Sequence, residues 1–134
     1  MRNLLIGAVA VASILVPCSV AAQWFQRVVP AGRTTTVFTY SPFIRTTCNS
    51  AFAVATLSIK PQHGRVSHHL TSATIPTHER FTGQPSGCDP KPTTGFAVTY
   101  TPDPGFCGFD KFSLEVDFKE IGRHTTDLFD IRVE

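Results

Sequence analysis

Residues 100–112 read YTPDPGFCGFDKF, and this stretch carries the strongest turn signal in the chain. Prolines stiffen the exit from a strand because they fix φ and lack a backbone N–H, and glycines reach backbone angles closed to other residues. Asp110, near the end of the stretch, can accept hydrogen bonds from turn amides. The pattern predicts two strands joined by a tight turn. The residues that define this turn are Tyr100, Pro102, Gly105, Gly108, Asp110 and Phe112.

Apolar residues alternate with polar or small ones on both sides of this turn. The alternation covers residues 96–100 before it, residues 112–118 directly after it and residues 129–133 near the end of the chain. A period of two is typical of a strand with one buried face. Gly122 lies between the last two runs and indicates a hairpin there.

Three earlier runs also predict strands. Residues 34–40 are β-branched and aromatic, and the apolar positions of residues 51–60 change parity, which indicates a bulge or a strand buried on both faces. Residues 65–70 follow a turn in which we expect Gly64 to take a positive φ. Beyond the first 22 residues no segment of ten or more shows helical spacing. The sequence therefore predicts an all-β, antiparallel sandwich of about seven strands.

Residues 100–112 resemble the Tyr-x-Pro-x-x-Gly-Phe-x-Gly-x-Asp-x-Phe turn of bacterial immunoglobulin-like and cadherin-like repeats, which occur in exported adhesins and surface proteins. Residues 61–66, PQHGRV, are similar to the Pro-x-His-Gly-x-Val element that precedes this turn in the same family. The likeness covers roughly residues 55–134. It implies an immunoglobulin-like sandwich used in adhesion, display or protein binding. Because the sequence holds one copy and no internal repeat, it predicts a single-domain relative.

The first 22 residues have the layout of a secretory signal peptide, with a positive charge, an apolar run and small residues before the cleavage site. The apolar run, residues 4–16, is shorter than the about 20 residues that a membrane-spanning helix needs. We therefore expect cleavage after Ala22, a mature domain of residues 23–134 without a membrane span, and a periplasmic or secreted product. The alternative is a lipoprotein acylated at Cys18, but a proline directly before the cysteine argues against it.

Three cysteines remain after cleavage, and export favours a disulfide between two of them. Cys88 lies in a long connection rich in proline and glycine, residues 76–95, and Cys48 lies in a second polar connection. Any of the three pairings is worth roughly 3 to 4 kcal/mol by loop entropy, so the energy does not select one. The two loops favour a disulfide between Cys48 and Cys88. We expect Cys107, confined in its tight turn, to stay unpaired as a small apolar filler.

Composition excludes some classes of function. The chain has 12 Lys and Arg against 10 Asp and Glu, and these charges are scattered, whereas nucleic-acid binding needs a clustered basic face. No Ser, His or Asp stands in a nucleophile elbow or an acid–base pairing. We therefore expect no nucleic-acid partner, no catalytic residue and no cofactor. We expect a monomeric or weakly associating domain.

The long connection at residues 76–95 is the candidate binding surface. Connections of this length are uncommon in small domains unless they are functional or disordered, and a disulfide together with prolines would fix its shape before binding. We expect Arg80, Phe81 and Gln84 to contact an unidentified protein or another cell-envelope partner. In the alternative interpretation, Phe81 only covers the core. A secreted inhibitor of another protein would use the same loop.

Histidines raise the alternative of a periplasmic metal-handling protein. Successive strand residues point to opposite faces, so His68 shares a face with Leu70 and His69 does not. His63 and His69 have the same parity but stand six residues apart, roughly 20 Å along a straight strand. We therefore expect no metal site, with His68 partly buried and the other two solvated.

Trp24 and Phe25 follow the cleavage site and precede the first predicted strand. An apolar arm in this position either packs along a sheet edge or contacts a partner. We expect packing.

Overall fold

The computed structural model of the protein describes residues 22–134. The predicted signal peptide therefore lies, apart from Ala22, outside the described residues. Within residues 22–134 the chain forms nine β-strands and one short 3₁₀ helix, Lys119–Ile121. The strands are β1 Ala22–Val29, β2 Thr35–Tyr40, β3 Phe43–Ile44, β4 Asn49–Ser50, β5 Val54–Ile59, β6 Gly64–Thr74, β7 Pro92–Pro102, β8 Gly108–Phe118 and β9 Arg123–Val133.

Two sheets pack face to face. One has the strand order β1-β9-β8-β5 and the other the order β2-β7-β6, while β3 and β4 form a small ladder of their own. The predicted all-β sandwich is confirmed. The prediction that every pair is antiparallel is wrong at one place, because β1 runs parallel to β9. These are the first and last strands of the described chain, so no hairpin dictates their relative direction.

The N-terminal arm is itself a strand. The arm packs along a sheet edge, as expected, but Trp24 and Phe25 lie inside β1 rather than before the first strand. The Phe25 ring stacks on Phe129 with 5.0 Å between centroids and contacts Phe38 at 4.7 Å. Trp24 is 69% exposed and donates from Nε1 to the Asp130 carboxylate at 2.9 Å. Alternate residues of β1 thus face the core and the solvent.

The core follows the parity that the sequence indicates. Phe112, Leu114, Val116 and Phe118 of β8 are all buried, whereas Lys111 and Glu115 are exposed. Aromatic rings from both sheets stack through the centre. Phe112 lies 4.6 Å from Phe129 and 6.3 Å from Tyr100, centroid to centroid. Burial of each such side chain stabilises the fold by about 1.5–3 kcal/mol.

Asp110 joins the two turns at one end of the sandwich. Its buried carboxylate accepts the backbone N–H groups of Gln62, His63 and Lys111, each at 2.9 Å. The Tyr100 hydroxyl donates to the same carboxylate at 2.7 Å. The predicted role of Asp110 as an acceptor of turn amides is confirmed. The turn before β6 and the turn before β8 are therefore held by one side chain.

Glycines at this end serve two different purposes. Gly105 has a φ of 78° and Gly108 a φ of 136°, angles that side chains disfavour. Gly64, expected to have a positive φ, does not. A Cβ at Gly64 would stand 2.6 Å from both the Tyr100 ring and the Thr101 carbonyl oxygen. Glycine is needed there because the backbone approaches Tyr100 closely.

The irregularity in β5 and the end of the long connection lie at other positions than the sequence indicates. β5 has a register shift, but it lies between Leu57 and Ile59, beyond the parity change that suggested a bulge. The parity changes because Phe52 and Val54 are exposed. The long connection ends earlier than predicted, because β7 begins at Pro92 and the loop occupies residues 75–91. Proline is compatible with the first position of a strand, where its missing N–H costs little.

A disulfide joins Cys48 to Cys88, with 5.7 Å between their Cα atoms, as predicted. It ties the connection between β3 and β4 to the loop at residues 75–91. Within residues 22–134 Cys107 has no disulfide partner, but it is exposed, so its predicted role as an apolar filler is wrong. Phe106 packs partly buried against the core, and Cys107 beside it faces the solvent.

Replacing both Cys48 and Cys88 by serine should lower the free energy of unfolding by about 4 kcal/mol, since the bond closes a loop with a sequence separation of 40. Urea unfolding under oxidising conditions measures the loss. Cys107→Ser is the matched control and should change stability by less than about 0.5 kcal/mol. Equal effects of the two changes would contradict the loop-closure argument.

Asp110→Asn should weaken the dependence of stability on acidic pH. Burial alone would raise the pKa of Asp110, but hydrogen bonds from the Gln62 amide, the Tyr100 hydroxyl and two further amides outweigh it and hold the pKa below its usual value. In acid the unfolded chain therefore binds more protons than the folded one. The stability that this carboxylate supplies is present above about pH 4 and is lost as the pH falls through the folded pKa.

Urea unfolding at about pH 7 and about pH 3 measures this dependence. The difference in unfolding free energy between the two conditions should be smaller for Asp110→Asn than for the wild type. Asp89→Asn, at an exposed position, should keep the wild-type difference. An unchanged difference in Asp110→Asn would show that another group governs the acid response.

Candidate functional site

The loop at residues 75–91 is folded back on itself. The backbone N–H of Glu79 donates to the Gln84 carbonyl at 2.7 Å, and the N–H of Ser86 donates to the Thr77 carbonyl at 2.8 Å. A further backbone hydrogen bond of 3.0 Å joins the two ends of the loop. The loop thus has a defined shape, with residues 80–83 at its tip, before any partner arrives.

A cavity of about 340 Å³ lies between this loop, the end of β2, the β3 segment and the 3₁₀ helix. Aromatic and aliphatic side chains form most of its wall. The apolar residues that line it include Phe38, Tyr40, Phe43, Phe81, Phe118 and Ile121. A concave, mostly apolar surface with a few polar groups is the usual form of a binding site.

Arg80 anchors the loop to the core. Its Nη2 lies 2.7 Å from Oδ2 of Asp127, a residue with no solvent exposure, and its Nε donates to the Gln23 side chain at 2.7 Å. The guanidinium carbon stands 4.9 Å from the Phe38 ring centroid and 5.0 Å from that of Tyr40. The arginine combines an ion pair with cation–π contacts, so its charge is compensated inside an aromatic environment.

Tyr40 completes this cluster by donating its hydroxyl to the same Asp127 oxygen. Burial, and then the bond to Asp127, raise the pKa of Tyr40 far above its usual value. The hydroxyl therefore stays protonated and remains a donor. Two donors from separate elements, β2 and the loop, meet on one carboxylate oxygen of β9.

The rim of the cavity is positively charged. Arg45 approaches Glu79 to 3.3 Å and donates to the Pro85 carbonyl at 3.0 Å. Arg123 lies 5.3 Å above the Phe81 ring. It is exposed and forms no ion pair with any residue between 22 and 134. Its guanidinium is therefore available to a carboxylate from outside.

The three predicted binding residues have different positions. Arg80 and Phe81 lie in the cavity wall, and Gln84 is exposed on the loop outside the lining. The guanidinium of Arg80 faces the core, and Phe81 packs edge-on against Phe118 at 5.7 Å and is partly buried. That these three residues contact a partner stays a prediction.

Sequence reasoning missed Tyr40, Asp127 and Arg123. Of these three residues, Asp127 can be recognised from the sequence pattern. Asp127 has the parity of Phe129 and Ile131, so a charged residue stands on the apolar face of β9. Charged residues are almost never fully buried without a partner, and this position alone predicts a buried cation nearby. Nothing local indicates that Arg80, 47 positions earlier, supplies it.

The histidines lie apart from this site, except for His78 on the rim. His68 is exposed rather than partly buried, because β6 is the outermost strand of its sheet. Among residues 22–134 no group of three or more His, Cys, Asp and Glu side chains is arranged to hold a metal ion.

Fold and site together define a β-sandwich domain with a preformed aromatic cavity at one end. Comparison with known protein families and with curated proteins finds no match to this chain. In the part of the chain that the structure describes, no helix has the length and apolar character needed to cross a membrane.

Arg80→Ala should lower the free energy of unfolding by about 3 kcal/mol. The change leaves the Asp127 carboxylate buried without its cation, which costs 3–5 kcal/mol for fully buried pairs. The lower value applies because the Arg80 side chain is 24% exposed. Urea unfolding at neutral pH gives the difference.

Arg33→Ala, at an exposed arginine outside the cavity, is the matched control and should cost less than about 0.5 kcal/mol. Adding Asp127→Asn to Arg80→Ala should recover part of the loss, since the uncompensated charge is removed. A loss below about 1 kcal/mol for Arg80→Ala would show that the pair does not anchor the loop.

Proposed function

We propose that this chain is an exported, non-catalytic binding domain of the immunoglobulin-like kind, which holds a protein partner at the cavity end in the periplasm or outside the cell. The observation that carries the proposal is a preformed aromatic cavity with Arg123 at its rim, an exposed arginine without an ion pair among residues 22–134. The turn at residues 100–112, with its resemblance to repeats of exported surface proteins, supports the same class.

Preorganisation favours binding over a purely structural role for the loop. The Cys48–Cys88 disulfide holds one side of it, and the pair between Arg80 and Asp127 holds its tip. A surface fixed in this way loses little conformational entropy when a partner binds. A loop that only closed the end of the sandwich would not need a cavity of about 340 Å³ beneath it.

The chemistry of the cavity indicates what the partner presents. The apolar wall at Tyr40, Phe118 and Ile121 suits one large aromatic or aliphatic side chain. Arg123 beside it suits a neighbouring carboxylate, because arginine makes paired hydrogen bonds to carboxyl groups. We infer that the partner offers an apolar residue next to Asp or Glu. Complementary charge at the rim would raise the association rate and the specificity. The apolar anchor would supply most of the affinity.

The ionisable groups of the cavity support binding rather than catalysis. Glu79 pairs with Arg45, and Asp127 is committed to Arg80 and Tyr40. A general acid or base must reach the proton that it transfers, whereas Asp127 has no solvent exposure and Glu79 is held in its ion pair.

Export has separate support in the disulfide, since such bonds persist in oxidising compartments. The apolar leader expected before residue 23 would deliver the chain there. Both features fit a cell-envelope or extracellular partner.

Selection of peptides from a displayed random library tests the proposal on the purified protein. Bound peptides should be enriched in an aromatic or large aliphatic residue beside Asp or Glu. Arg123→Glu should reduce their binding by at least about tenfold with an unchanged unfolding midpoint. Arg33→Glu makes the same charge change at an exposed arginine outside the cavity and should leave binding unchanged. Enrichment of peptides that bind Arg123→Glu equally well would overturn the assignment of the site.

A further inference from the structure

The four outer strands of the two sheets differ in regularity. β2 has a register shift between Thr36 and Phe38, and β5 has one between Leu57 and Ile59. β1 pairs with β9 at eight successive positions and β6 with β7 at eleven, Gly64 to Thr74, both without a shift, so β6 is the longest regular edge. Irregular edges resist further strand pairing, whereas a long regular edge invites it.

The outer side of β6 also lacks other protection. No backbone hydrogen bond joins this side to any residue within 22–134, since β6 ends its sheet. It contains neither lysine nor proline, and its only fixed charge is Arg65 near the start. Natural edge strands are usually blocked by such residues, by bulges or by a covering loop.

The two open sides of the sandwich differ as well. Beside β1 and β2, Arg27 reaches across and donates from Nε to the Val37 carbonyl at 2.7 Å, which closes that side. Beside β5 and β6 a groove of about 550 Å³ remains. Leu70 and Phe52 line it and are 75% and 78% exposed. The apolar surface thus accompanies the unpaired edge.

We propose that β6 pairs antiparallel with β6 of a second copy of this chain, which joins two three-stranded sheets into one of six strands. This inference is independent of the cavity. We place His69 at the twofold axis. Each residue then faces the residue of the second copy for which the two residue numbers add up to 138. Arg65 then faces Ala73, and Ser67 faces Thr71.

Charge is compatible with this self-pairing. The strand holds no carboxylate, and the register keeps the two Arg65 side chains apart, so no fixed like charges meet. Paired residues have equal parity, and each copy therefore keeps its apolar face towards its own core. Leu70 of each copy faces the partner's His68 near the axis, where both partly cover the groove.

The size of the contact predicts a weak dimer. Eleven residues span about 37 Å at 3.4 Å per residue, and pairing two such edges removes on the order of 1,000 Å² from water, the lower limit for specific interfaces. We expect a dissociation constant in the micromolar to millimolar range, because interfaces near this limit are weak and transient.

Sedimentation velocity of the purified protein over a concentration series tests the proposal. The wild type should show a monomer–dimer equilibrium in that range. Leu70→Lys places a charge beside the edge and should weaken dimerisation by at least about tenfold. Phe109→Lys makes a similar change at an exposed residue of β8, outside the groove, and should change it by less than about twofold. A monomer at about 1 mM, or a dimer equally stable in Leu70→Lys, would overturn the proposal.

Cysteine crosslinking tests the register even if Leu70→Lys does not fold. In a Cys107→Ser background, His69→Cys should form a disulfide-linked dimer on oxidation, because residues opposite one another across an antiparallel pair have Cβ atoms about 5 Å apart. Arg65→Cys should not, since the two copies of that residue would stand roughly 27 Å apart. Equal crosslinking of both variants would exclude this register and overturn the proposed pairing.

Discussion

The pair between Arg80 and Asp127 is the interaction on which the cavity end of this domain depends. A carboxylate without solvent exposure on a core strand is tolerated only if a cation and a donor reach it. Arg80 can do so only when its loop folds over the ends of both sheets. The charge on β9 thus determines where the loop lies, and the position of the loop encloses the cavity. The disulfide constrains the other side of the loop but supplies nothing at its tip.

A tyrosine hydroxyl also donates to a buried carboxylate at the opposite end of the sandwich. Tyr40 of the three-stranded sheet donates to Asp127 of the four-stranded sheet, and Tyr100 of the former donates to Asp110 of the latter. Burial, followed by the bond to the carboxylate, raises the pKa of each tyrosine above its usual value. Each bond crosses between the two layers, where the rest of the contact is apolar and non-directional. Two directed bonds therefore align the sheets that hydrophobic packing alone would only hold together.

Sequence patterns predicted the features that depend on neighbours along the chain. The parity of β8 and β9 and the role of Asp110 follow from local spacing, and two cysteines in two loops sufficed for the disulfide. The missed features depend on residues far apart. β1 is a strand because β9 lies beside it, Gly64 is required because Tyr100 packs on it, and no pattern near Arg80 indicates its partner. This limit applies to the predicted binding residues Arg80, Phe81 and Gln84. Only their contacts in the folded structure distinguish the residue that anchors the loop from the one that is exposed.

Different kinds of hydrogen-bond donor stabilise the two ends of the domain. This difference determines which residues at the cavity end can be substituted. At the Asp110 end three of the four donors are backbone N–H groups, which any residue except proline supplies. At the cavity end the contacts of Asp127 come from side chains, so Arg80 and Tyr40 cannot be exchanged without loss. Gln84, which is exposed on the loop and makes neither of these bonds, can change without disturbing the anchor, whereas the Phe81 ring centroid lies 5.3 Å from the Arg80 guanidinium carbon and supports it. Tyr40 both bonds Asp127 and lines the cavity, so part of the apolar wall is fixed by the anchor. Arg123 and Gln84 are exposed and make no bond to Asp127, so ligand preference can change at these positions without altering the fold.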